Sequence, residues 1–92
     1  MQINRLETLI SQLEDYAEQY ERAMDRSIYG INLRIRSMSR DKQGAQILRM
    51  LRNELQKKKY DELTSQQATI VVHRAMLRAI QEKARELGIE YP

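Results

Sequence analysis

Ninety-two residues, 41% hydrophobic and 32% charged, are enough for one domain, 1–92, with a modest core. With no cysteine there is no disulfide and no thiolate metal site, and no apolar run is long enough to span a membrane. The net charge of +3 conceals an uneven spread: residues 1–25 carry two basic and six acidic groups, 26–60 ten and two, and 61–92 four and five. Only three Gly and one Pro interrupt a chain of helix formers, so the expected class is all-α. Met1 is followed by polar residues rather than by a basic stretch and an apolar block, so no signal peptide is expected and residence is expected to be cytoplasmic.

The first apolar series is Ile3, Leu6, Ile10, Leu13, Ala17, Tyr20 and Met24, spaced alternately by three and four. Two successive steps of four carry it to Ile28, the signature of a stutter, and it resumes through Ile31, Ile35 and Met38. This predicts one long helix over 3–37, about 50 Å at 1.5 Å per residue. Gly30 costs that helix about 1 kcal/mol relative to Ala and marks a candidate kink. Glu18 and Arg22 form a favourable pair four residues apart on its other face.

Residues 37–44 are the expected break, where Ser39 and Asp41 can cap a new start. A second helix is predicted over 40–60, with Ala45, Ile47, Leu48, Leu51 and Leu55 as its apolar set and Lys57, Lys58 and Lys59 in its last turn. A third is predicted over 65–88. Thr64 and Gln67 read as its capping box, Leu63 and Ala68 as its hydrophobic staple, and Gly88 as its stop. Between those signals Ala68, Ile70, Val71, Val72, Ala75, Met76, Leu77, Ala79, Ile80, Ala84 and Leu87 cover well over half the circumference. The polar remainder is Gln67, Arg74, Arg78, Gln81 and Arg85. The expectation is a three-helix bundle: a long first helix and a helical hairpin, with the third helix at its centre. After Gly88, Ile89 folds back on the last turn and residues 90–92 are loose.

His73 is the single histidine and reads as a packed, hydrogen-bonded residue, since a metal site needs three or four ligands. The serines sit where caps and helix surfaces explain them, and Gly30, Gly44 and Gly88 are isolated, so no phosphate-cradling loop exists. No catalytic residue, cofactor or metal is assigned, and the expected protein is not an enzyme. Arg26, Arg34, Arg36, Arg40, Lys42, Arg49, Arg52, Lys57, Lys58 and Lys59 make the middle of the chain basic. That face suits an acidic protein partner or, through counterion release, nucleic acid. The stripe Arg74, Arg78, Arg85 is suited to pair with Glu14, Glu18 and Glu21 of the first helix or to form a binding ridge.

A long first helix bearing Arg5 and Arg22, followed by two shorter ones, is similar to the small all-helical chorismate mutases. The resemblance implies a shared bundle architecture. Asp41 is followed by Lys42, Gln43, Gly44 and Ala45 rather than by that family's Arg-Glu pair, its lysine position falls near Leu33, and its final-helix glutamine is matched at best by Gln81. No active site is carried over.

The expected function is that of a small non-catalytic interaction protein, an adaptor, subunit or inhibitor, in a style frequent among accessory proteins of mobile elements. A 50 Å helix outreaching a shorter hairpin leaves part of its seam open. The expected contact set is therefore Ile28, Ile31, Ile35 and Met38, with Arg34, Arg36, Arg40, Arg74, Arg78 and Arg85 giving orientation and rate. The partner is a protein with an acidic surface or a second copy; the alternative is nucleic acid bound by the 26–60 face.

Overall fold

A computed structural model describes residues 3–89. They form two α-helices and no strand: α1, Ile3–Ser37, and α2, Lys42–Glu86, joined by residues 38–41. The all-helical class and the bounds of α1 are as expected, and α1 runs through Gly30 without interruption. The second and third predicted helices are one. Between Lys57 and Gln67 there is neither Gly nor Pro, so nothing breaks the hydrogen-bond ladder. An inward-facing series also crosses the expected gap, through Leu55, Lys59, Leu63, Gln66 and Ile70, each buried or half-buried. Thr64 and Gln67 are consequently interior helix positions, and the expected capping box does not form. The side chain of Ile3 and the tail 90–92 lie outside the described residues.

The real start and stop of α2 are both chemical. The Asp41 carboxylate accepts the Gly44 N–H at 2.8 Å, while its carbonyl accepts the Ala45 N–H at 3.0 Å, which makes Asp41 the N-cap. A β-carbon at residue 44 would stand 2.9 Å from Asp41 Cγ, so a larger residue there requires the capping carboxylate to shift. At the other end Gly88 takes φ +68°; its N–H reaches the Arg85 carbonyl at 3.2 Å, and the Ile89 N–H reaches Ala84 at 2.8 Å. This is a Schellman closure, which satisfies carbonyls that the helix leaves open and folds Ile89 back on the last turn.

The chain divides into two compact units: Glu18–Thr64, and Met1–Ala17 with Ser65–Pro92. In the first, Tyr20, Met24, Ile28, Ile31 and Ile35 of α1 face Ala45, Leu48, Arg52, Leu55, Lys59 and Leu63 of α2, all buried or half-buried. Two of these positions on α2 are cationic, and each has a partner across the seam. Arg52 donates to Asn32 Oδ1 at 3.2 Å, and Lys59 to Asp25 Oδ1 at 2.5 Å. The pairs descend along α1 as they climb α2, so the helices are antiparallel. Both seams also slip at one level: α1 steps by four twice through Tyr20, Met24 and Ile28, and α2 does so through Leu55, Lys59 and Leu63. The Lys59–Asp25 bridge joins the two slipped stretches, so the slips match and neither helix loses its inward face.

In the other unit the seam is Leu6, Ile10, Leu13 and Ala17 against Gln66, Ile70, His73, Leu77, Ile80 and Ala84. His73 is half-buried there and its Nδ1 lies 2.7 Å from the Thr69 carbonyl oxygen. A carbonyl only accepts, so Nδ1 carries the proton.

Candidate interaction surfaces

Two helices bury one stripe each, and the rest of a helix apolar over half its circumference stays open. In the unit built from the chain ends this divides the surface into two unlike flanks. In an antiparallel pair, equivalent flanks of the two helices face the same way. Glu14 directly follows the seam residue Leu13, Arg74 directly follows His73, and the two form an ion pair. Glu7, Gln67 and Gln81 follow Leu6, Gln66 and Ile80 in the same manner, while Val71, 63% exposed, follows Ile70, so this flank is polar apart from Val71. The opposite flank holds the residues that directly precede seam positions: Leu9 before Ile10, Tyr16 before Ala17, Met76 before Leu77. Val72 before His73 and Ala79 before Ile80 belong to it as well, with Gln12, Ser65 and Thr69 as its polar members. Leu9 and Met76 are 40% exposed, Val72 57% and Tyr16 60%. Arg5 and Lys83 lie at the end of this flank nearest the chain termini.

The other unit presents a cationic end around residues 38–41. Arg34, Arg36, Arg40, Lys42 and Arg49 are exposed, and none of their side chains makes a hydrogen bond or ion pair among the described residues. The one carboxylate among them, Asp41, is engaged in capping. Ile47, Met50 and Leu51 lie exposed nearby on α2. Lys57 and Lys58 are exposed mid-helix residues rather than a last turn. Lys59 differs from both: the hydrogen bond from its ammonium to the Asp25 carboxylate holds its pKa above the ordinary value, against partial burial and with further help from the Asp25 and Glu21 charges.

The expected contact set is therefore split. Ile28 is buried, and Ile31, Ile35 and Met38 are half-buried on the inward face of α1. The open seam anticipated there does not exist, because α2, at 45 residues, is longer than α1, at 35. Arg34, Arg36 and Arg40 are outward. Arg74 is paired with Glu14 as anticipated, whereas Glu18 pairs with Arg22, and Arg78 and Arg85 stay exposed. Ile47 and Leu51, expected to face inward, are outward, and Arg52 and Lys59 take the inward positions. A search for apolar spacing passes over cations; continuing the three-four alternation from Ala45 and Leu48 would have found both.

Comparison with protein-family models, curated proteins and solved structures finds no match. The likeness to the chorismate mutases rested on three helices, and the described residues form two. Among the described residues no group of His, Asp or Glu is placed to hold a metal ion, and no helix is long and apolar enough to cross a membrane.

Proposed function

We propose that the chain is a non-catalytic docking protein that holds a protein partner on the flank formed by Leu9, Tyr16, Val72, Met76 and Ala79. The observation supporting this reading is that the exposed Leu9, Tyr16, Val72 and Met76 gather on the flank opposite the Glu14–Arg74 ion pair. Exposed apolar side chains gathered on one side mark contact surfaces, whereas scattered ones need no explanation. Tyr16 and Met76 are of the residue types enriched at such contacts. The unpaired arginines around residues 38–41 would orient an acidic partner and quicken its arrival. Titration with an apolar fluorescent dye tests the reading. Dye binding lost in Val72→Glu, with helicity retained by circular dichroism, is the expected result; equal binding by both proteins rejects it.

A second reading has its own support. Arg34, Arg36, Arg40, Lys42 and Arg49 form a cationic end without internal partners, which suits phosphates. Under this reading the chain binds random duplex DNA at low salt, with affinity falling steeply as salt rises. Negligible binding at low salt rejects it.

A further inference from the structure

Resting on the second, phosphate-binding reading, we infer that the unit Glu18–Thr64 holds a single nucleic-acid strand along one flank, with phosphates on Arg36, Arg49 and Lys42 and bases on Tyr29 and Tyr60. Three observations point to this. The first is position. Tyr29 directly follows the seam residue Ile28, and Arg36 follows Ile35, on α1; Arg49 follows Leu48, and Tyr60 follows Lys59, on α2. Equivalent flanks of an antiparallel pair face the same way, so these cations and rings share one side of the hairpin. Lys42, seven residues before Arg49, continues the same line of α2 toward the turn.

The pairs Arg52–Asn32 and Lys59–Asp25 set the levels along this flank. Arg49 stands level with Ile35, hence beside Arg36. Tyr60 stands level with Met24, and Tyr29 follows about 7.5 Å further along the axis at 1.5 Å per residue. The order from mid-hairpin to turn is thus Tyr60, Tyr29, the two arginines, then Lys42. Each ring has room for a base of its own.

The second observation is charge. Arg36, Arg49 and Lys42 make no hydrogen bond or ion pair among the described residues. Two free arginines at one level repel each other, and an anion laid between them offsets that cost. Residues directly following the α2 seam in this unit include no carboxylate. On α1 they include two: Asp25 is bridged to Lys59, and Glu21 lies past Tyr60, at the end away from the arginines. The third is exposure: Tyr29 and Tyr60 are 64% and 72% exposed. A cationic track beside open aromatic rings is the combination that single strands need, phosphates meeting the one and unstacked bases the other. A duplex keeps its bases in the stack and offers only phosphates, as would an acidic peptide or a lipid headgroup, and the tyrosines would then go unused. DNA and RNA strands share both groups, so the flank takes either.

Fluorescence anisotropy of the full chain with labelled oligothymidylate and oligouridylate of about 12 nucleotides tests this. Both are expected to bind about tenfold more tightly than a duplex of equal length. Tyr29→Ala and Tyr60→Ala are each expected to weaken strand binding by about tenfold, leaving the salt dependence and the helicity unchanged, while Tyr29→Phe and Tyr60→Phe bind as the native chain does. Arg36→Ala and Arg49→Ala are each expected to lower the slope of log affinity against log salt by about 0.7. Equal affinity for duplex and single strand, or tyrosine variants that bind as the native chain does, overturns the single-strand assignment and leaves phosphate binding standing. Binding of poly-glutamate or of phosphatidylserine vesicles as tight as that of the strands also overturns it. No binding of either nucleic acid at low salt overturns both.

Discussion

Three residues control where the helices begin, continue and end, and each allows a substitution of known sign. Gly30 lies within α1, and a β-carbon there would meet nothing within 4 Å. Gly30→Ala therefore removes the entropic cost of glycine without a clash, and is expected to stabilise the fold by about 1 kcal/mol. Thermal melting checks it: for a domain of this size that is a rise of about 4–8 °C. Asp41→Ala removes the N-cap and is expected to cost about 1 kcal/mol by the same measurement. Gly44→Ala is expected to yield no such gain as Gly30→Ala, because the new methyl displaces the capping carboxylate. At Gly88 the left-handed backbone makes alanine unfavourable by about 1 kcal/mol. Asp41 and Gly88 were recognisable from residue type and position alone, because capping is local chemistry. That Gly30 is a plain helical position was not, since the same residue also suits a kink.

At the scale of the element, α2 is decided by its inward positions. A helix carrying Arg52 and Lys59 on its buried side loses some hydrophobic stabilisation there. In exchange, the register that brings Asn32 and Asp25 opposite gives both cations a partner on α1, Arg52 in addition to the Asn53 amide oxygen of its own helix. Arg52→Leu is accordingly expected to raise stability by about 1 kcal/mol while weakening the preference for one register. Denaturant titration reads the first effect, and broadened amide resonances in NMR spectra read the second. The Lys59–Asp25 bridge is partly exposed, so its worth is at most about 1 kcal/mol. Because the folded-state pKa of Lys59 is raised, the bridge contributes fully below the ordinary lysine value of 10.5 and is lost as pH climbs through the higher folded value. The stability difference between the native chain and Asp25→Asn should thus be constant from about pH 7 to 9 and shrink above about 10.5, as chemical denaturation at each pH would show.

For the molecule as a whole, the number of helices governs how much apolar surface is left to associate. A third helix would have covered the outward side of residues 68–80; with two, Val71 and Val72 stay 63% and 57% exposed. The core is small, with seven buried hydrophobic residues among those described, so any protein that covered the apolar flank would add to its stability.

The all-helical class, the span of α1, its stutter and the Gly88 stop follow from residue spacing and backbone preference, which act within a few residues and need no partner. Whether residues 61–67 turn or continue depends on a weaker balance: Thr64 and Gln67 are acceptable both at a cap and inside a helix. Packing resolved it, because an unbroken α2 keeps Lys59, Leu63 and Gln66 against α1 with both slipped seams in step. Which apolar residues remain outside is likewise a tertiary outcome, since a side chain's face has meaning only once a neighbouring helix has taken the other one.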